Sequence, residues 1–376
     1  MSAPALSTAA CDALPSPSAD RDFARRVIAW QRRQGRRGLP WQCTDPYRVW
    51  LSEIMLQQTQ VSTVLDYYPR FLARFPDVHT LAAAPQDDVL ALWSGLGYYA
   101  RARNLHRCAQ QVAAEYGGRF PPSAAALQTL PGIGRSTAAA IAAFCFGERA
   151  AILDGNVRRV LARVFGIADD ITRIEPQRRL WQLAQTLLPA QAGVAAMAPY
   201  TQGLMDLGAL VCTRRAPACA ACPLAAQCVA ARRGDPGAYP RPRPPPSRKT
   251  LALALLLARD DAGRVWLAPQ TSGDGVLRGI WQGLYTLPVF ADETALLAAL
   301  PVAVRGQVHW HTPIRHTLTH RDLTLHVAQL DWPSGVRRAP VTAGGRWFAP
   351  QEWLTLGLPA PIARLLEQAR VKQAAS

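Results

Sequence analysis

Half of the chain's eight cysteines fall between residues 212 and 228, at Cys212, Cys219, Cys222 and Cys228, with the spacing C-x6-C-x2-C-x5-C. Thiolates strung this closely can turn inward onto one soft metal centre, either a tetrahedral zinc ion or a cubane iron–sulfur cluster. Paired disulfides are the alternative, but these belong to secreted proteins. Nothing here reads as secreted: residues 1–20 are rich in Ala, Ser and Pro and carry no Arg or Lys, unlike a signal or transit peptide. They read as a frayed tail. No apolar run reaches the roughly eighteen uncharged residues of a membrane helix. Cys11, Cys43, Cys108 and Cys145 are scattered and expected to be reduced. The expected location is cytoplasmic, with the nucleoid.

The charge balance narrows the choice of partner. The formal net charge is +16, and of 42 Lys and Arg residues only Lys249 and Lys372 are lysine. Such a basic chain suits a polyanion, and nucleic acid is the commonest one. Arginine favours bidentate phosphate contacts, although genome base composition produces the same bias. In either case no lysine precedes residue 249.

Apolar residues recur at three- and four-residue steps over 23–30, 49–56, 89–93 and 138–146, which predicts an all-α domain over 21–233. Residues 234–249 then interleave prolines (Pro236, Pro240, Pro242, Pro244, Pro245, Pro246) with arginines, as expected of a semi-rigid linker. Beyond it, 251–257, 265–268, 281–287, 308–311, 323–330 and 347–348 read as short strands, with helices over 296–300 and 361–367. A second, α+β domain over 250–370 follows. Five of the seven histidines lie between His309 and His326, but strand alternation scatters them over different faces, against a zinc site.

Two elements of the helical half carry chemistry. At 130–134, Leu-Pro-Gly-Ile-Gly stands between helical patterns. Gly132 and Gly134 permit a tight hairpin whose amides, with the next helix N-terminus and Arg135, make a phosphate-sized concavity. Asp154, followed by Gly155 and Asn156, is either a plain helix cap or a carboxylate held ionised at a helix N-terminus. Glu53 is the lone acid in the apolar run 47–56. Facing solvent it is inert; facing inward, desolvation raises its pKa and prepares it to donate a proton.

From about residue 22 to 368 the sequence resembles the MutY-type adenine DNA glycosylases. The resemblance is carried by Leu39-Pro40-Trp41, by the run from Trp50 through Glu53 to Val61, by Gly95 to Asn104, by the hairpin at 130–137, by 153–157 and by the cysteine spacing. It implies a helix-hairpin-helix glycosylase domain with one 4Fe–4S cluster, joined to a Nudix-like domain that recognises 8-oxoguanine. The implied substrate is duplex DNA with adenine mispaired with 8-oxoguanine or, less readily, guanine, and the implied enzyme acts as a monomer. No protein partner, such as a sliding clamp, can be read from the chain. By the same resemblance Glu53 looks like the acid that protonates adenine N7. Asp154 looks like the carboxylate that stabilises the oxocarbenium ion, by charge or through a covalent glycosyl intermediate, with Asn156 as its hydrogen-bonding neighbour. Trp41 and Leu56 resemble walls of the adenine pocket, and Gln58 and Tyr98 the wedge inserted when the base flips. Leu318-Thr319-His320 matches a loop that often reads Phe-Ser-His and probes 8-oxoguanine, here without its aromatic ring. Arg214 and Arg215, in the cysteine loop, could meet phosphate.

Three rivals differ in chemistry. An endonuclease III-like lyase needs a lysine just after the hairpin, where this chain has Ser136. Ser136 can still hydrogen-bond near the site. A Nudix pyrophosphohydrolase needs a glutamate-rich helix for magnesium, yet between 291 and 305 the only acids are Asp292 and Glu293. A cluster-bearing, redox-sensing DNA-binding protein would use Glu53 and Asp154 only as a helix-face residue and a cap.

Overall fold

In the computed structural model, residues 17–242, 247–270, 280–333 and 344–374 are described. The chain separates into two compact units that do not follow its linear order: residues 1–68 with 108–244, and 69–107 with 245–376. The first helix, Pro17–Gln34, starts within the stretch expected as a tail. Proline is tolerated in a first turn, where its missing N–H would be unpaired anyway.

The first unit is helical. Helices Gly155–Val164, Ile174–Thr186 and Val194–Asp206 enclose a core with Pro17–Gln34. Val27, Val157, Leu180, Met197 and Leu207 are fully buried there. Two helices end in a widened turn: Arg135–Ile141 runs into Ala142–Phe146, and Val194–Asp206 into Leu207–Val211. The second of these delivers the chain to Cys212. The expected linker contains a short turn at Pro236–Ala238 and gives up Lys249 to the first strand, while 243–246 lie outside the described residues.

The second unit is built on a mixed sheet of β1 (Lys249–Arg259), β2 (Val265–Pro269), β3 (Tyr285–Thr286), β4 (Val289–Phe290), β5 (His309–Trp310), β6 (Ile314–Thr317), β7 (Arg321–Asp331) and β8 (Arg346–Phe348). Its path is β3-β2-β1-β7-β5, with β1 and β7 parallel in register from Lys249↔Arg321 to Arg259↔Asp331. Six consecutive residues of β1 are buried, as expected for a strand covered on both faces. The strand expected over 281–287 shrinks to β3, because Trp281 takes φ +57° and bends the chain away from extended geometry. β6 was not expected; it pairs antiparallel with β7. Helix Gln86–Leu92 and the turn after it belong to this unit. Arg103 Nη1 donates to the Gln282 carbonyl at 2.6 Å, and the Ser94 and Tyr99 hydroxyls donate to the Leu358 carbonyl at 3.2 and 3.0 Å.

Candidate active site

Glu53 lies on helix Pro46–Leu56, whose start is set by Pro46 and by Asp45, which caps the amides of Tyr47 and Arg48. Val49, Glu53 and Leu56, spaced by four and three residues, share one helix face. That face opens on a cavity of about 340 Å³, walled also by Trp41, Phe144, Gln202 and Met205. Trp41 is fixed edge-on against Tyr68, ring centroids 5.3 Å apart. The inward placement is therefore the observed one. Burial pushes the Glu53 carboxyl up to about 8, and the charge of Asp154 pushes it the same way. Such a group is protonated at neutral pH and can give its proton to a bound base.

Asp154 reaches the site by a different route. The buried run Ala151, Ile152, Leu153 is extended, and the Ser136 hydroxyl accepts the Leu153 amide at 3.0 Å. Ser136 thus fixes the backbone just ahead of the carboxylate. Asp154 caps helix Gly155–Val164, accepting from the Val157 amide at 2.7 Å. The helix terminus is one of several influences on its charge. Burial is the largest influence and raises its pKa, while the amides of Val157 and Asn156 and the charges of Arg159 and Arg158 oppose it. Since no hydrogen-bond donor among the described residues reaches Glu53, Asp154 is the better stabilised anion and Glu53 the better proton holder.

Asn156 is held from two sides. Its Oδ1 accepts from Arg159 Nη2 at 2.8 Å, and Arg159 also donates to the carbonyls of Gly208 and Cys212. A Cβ on Gly208 would lie 2.5 Å from Asn156 Cβ and 3.1 Å from its Cα, contacts that no rotamer can relieve. Gly208→Ala is therefore expected to cost about 1–3 kcal/mol in overpacking and to displace the Asp154 turn. Thermal melting should show the loss, and site turnover should fall at least tenfold beyond what the lost folded fraction explains.

The four cysteines line one enclosed space with Val160, Leu207 and Val211. Among the described residues no group of three or more His, Cys, Asp or Glu side chains is arranged to hold a metal ion. The space sets four soft thiol donors around one volume, a donor set suited to a soft metal centre. Burial and the other three sulfurs push the Cys222 thiol up to about 11, so four thiolates here require compensating positive charge. Arg163, 4% exposed, organises the loop: it donates to Cys212 Sγ at 3.3 Å and to the carbonyls of Thr213, Arg214, Pro236 and Tyr239. Arg214 and Arg215 themselves are exposed.

Gly132 takes φ +78° in the 130–134 hairpin, and Gly134 caps helix Arg135–Ile141 with open space where a Cβ would be. Arg135 stacks on Trp181, 3.8 Å from the ring centroid. Gln58 (φ +58°) and Tyr98 (φ +49°) are exposed and left-handed, two of three such non-glycine residues among those described. That conformation costs of order 1–3 kcal/mol per residue and concentrates at functional positions. Leu318, Thr319 and His320 form the β6–β7 turn, where the Leu318 amide donates to the Arg321 carbonyl. The Thr319 and Tyr98 hydroxyls are hydrogen-bonded at 2.9 Å within the second unit. Asp292 caps the amide of Ala295, and Glu293 pairs with His326 Nδ1 at 2.7 Å, so both acids already have partners.

Arg159, Arg163 and Asp206 went unrecognised in the sequence. Asp206 is a single charge in an apolar helical pattern, the same signal that singled out Glu53, whereas Arg159 and Arg163 share their helix with Arg158.

Two family models match the chain: the HhH-GPD superfamily base excision DNA repair protein over residues 51–186, and a NUDIX domain over 254–368. The adenine DNA glycosylase of Buchnera aphidicola subsp. Schizaphis graminum is 32% identical over 356 residues, covering 92% of this chain and 98% of that protein. The human adenine DNA glycosylase is 31% identical over 408 residues, 91% of this chain and 73% of that one. Among solved structures, a thermostable thymine-DNA glycosylase superposes with a TM-score of 0.52 at 29% identity, covering 58% of this chain and all of that chain.

Proposed function

The chain belongs to the adenine DNA glycosylase family, and from that premise we propose that it hydrolyses the N-glycosidic bond of adenine mispaired with 8-oxoguanine or guanine in duplex DNA. The observation that carries this reading is Glu53, a carboxyl that holds its proton to about pH 8 in a cavity lined by Trp41 and Leu56. Adenine leaves poorly as an anion, so Glu53 protonates it at N7 as the bond to the sugar breaks. The cationic sugar left behind is stabilised by the Asp154 carboxylate, and Asn156 keeps that carboxylate in register. Water then adds to the sugar carbon and leaves an abasic site. A pair of carboxylates, one acid and one anion, solves the same problem in sugar hydrolysis.

Gln58 and Tyr98 act as the wedge that fills the gap left by the flipped base, an extrusion that costs a few kcal/mol and least at a mismatch. The hairpin amides of Gly132 and Gly134, with Arg135, Arg214 and Arg215, meet the phosphates. Leu318, Thr319 and His320 read the lesion, and the C-terminal sheet serves recognition rather than pyrophosphate hydrolysis. Cys212, Cys219, Cys222 and Cys228 would hold one 4Fe–4S cluster, which when bound supplies a cross-link for the 212–228 loop. The enzyme works as a monomer in the cytoplasm; among the described residues no helix is long and apolar enough to cross a membrane.

Single-turnover assays on duplexes with adenine opposite 8-oxoguanine, guanine or thymine test the reading. Release should be fastest opposite 8-oxoguanine and slowest opposite thymine; equal rates on all three would sink it. Because no lysine precedes residue 249 and the residue after Arg135 is Ser136, borohydride should trap no strong enzyme–DNA adduct. An abundant adduct would point to a lyase instead.

A further inference from the structure

Asp206 is the last residue of helix Val194–Asp206 and its side chain is fully buried. Burial counts against a carboxylate, because it removes its hydration. It is retained with three donors around it. Arg36 gives its backbone amide at 2.8 Å and its Nε at 2.7 Å, and Gln202, one turn earlier on the same helix, gives its Nε2 at 2.9 Å. The chain is pressed onto this group so tightly that a Cβ on Gly35 would lie 3.0 Å from Asp206 Oδ2. Arg36 and Gln202 both line the cavity that holds Glu53, whereas Asp206 does not.

The consequence lies in the Gln202 amide. An amide side chain offers both a carbonyl and an NH2, and rotation by half a turn exchanges them. A carboxylate only accepts, so Asp206 engages the NH2 end and leaves the Gln202 carbonyl as the group free to face a bound base. A fixed acceptor matches an exocyclic amino group and is mismatched to a carbonyl at the same place. We propose that Asp206 is a positioning residue for base selectivity: it locks the Gln202 amide and the Arg36 loop so that the cavity presents an acceptor to the 6-amino group of adenine and disfavours 6-oxopurines. This rests on the reading that the cavity takes adenine.

The test is the ratio of single-turnover release rates for adenine and hypoxanthine, each opposite the same base in otherwise identical duplexes. Asp206→Asn removes the charge and lets the amide turn, so the adenine-to-hypoxanthine ratio should fall at least about tenfold, the scale set by leaving one polar group mispaired in a selective site. Gln202→Leu should lower the ratio similarly, and the double variant should lower it no further. A ratio unchanged in Asp206→Asn, with both rates and the melting temperature falling together, would reduce Asp206 to a structural role and overturn the proposal. If Asp206→Asn does not fold, Gln202→Leu decides: an unchanged ratio there also overturns it. Failure of the unaltered protein to release adenine would instead count against the functional reading itself.

Discussion

Glu53→Gln is expected to slow single-turnover adenine release by about a thousandfold or more while making the protein more stable. The rate loss follows from removing the proton donor, a contribution of roughly 10²–10⁴ for a positioned general acid. The stability gain follows from linkage. The ordinary pKa of a glutamate carboxyl is 4.5, and the folded protein holds this one near 8. Below pH 4.5 both the folded and the unfolded chain bind the proton, and Glu53 has no net effect. As pH rises from there through about 8, the unfolded chain releases the proton first, so stability is progressively lost. At pH 7 that loss is up to about 3 kcal/mol, since each pH unit above 4.5 costs about 1.4 kcal/mol. Glutamine carries no such burden. Thermal melts of the two proteins should converge near pH 4.5 and diverge with rising pH, the variant being the more stable. A variant that releases adenine at the normal rate would return Glu53 to a helix-face residue and favour a DNA-binding protein without catalysis. A stability difference independent of pH would mean the carboxyl is not desolvated.

Asp154→Asn should be nearly as damaging to the rate, and its value lies in what it leaves intact. Asparagine caps helices as well as aspartate does, so its Oδ1 can still take the Val157 amide and the fold should be preserved. What disappears is the negative charge facing the sugar cation, worth about 10²–10³ in rate for a preorganised electrostatic group. The pH profile gives a second readout. In the unaltered enzyme activity requires Glu53 protonated and Asp154 ionised, so it should fall on the alkaline side near pH 8 and on the acid side as Asp154 takes up its proton. Asp154's charge is the second of the two influences that raise Glu53. Neutralising it lowers the Glu53 pKa, and the alkaline fall of the residual activity should move to lower pH. An alkaline limb that stays in place would show that the two carboxyls do not sense each other.

Much of this site was legible in the residues themselves, and the reason is local. An acid inside an apolar helical face, a proline before a helix, and a glycine pair between helices all signal through neighbours in sequence. Glu53, the hairpin glycines and the cysteine loop are of that kind. Asp206 and Arg159 are not: their partners lie 170 and 53 residues away, at Arg36 and Cys212. A helical pattern marks such residues as misfits without saying what satisfies them. The left-handed backbone at Gln58 and Tyr98 is also invisible to composition, since neither residue type favours it. β6 was missed because His316 and Arg315 break the apolar alternation, and its pairing is set by β7. For Asp154 the helix cap was legible, but the burial that raises its pKa was not.

The grouping of residues 69–107 with 245–376 bears on how the chain is made. Leu90 is 1% exposed in the finished fold, and it packs so closely on Gly357 that a Cβ there would lie 3.0 Å from Leu90 Cβ. During synthesis Leu90 leaves the ribosome some 190 residues before Leu284 and more than 260 before Leu358. At ~5–20 residues per second that is an interval of roughly ten seconds to nearly a minute. Over that time the C-terminal residues that close over Leu90 in the finished fold are not yet translated, so this part of the second unit cannot be completed until synthesis is nearly over.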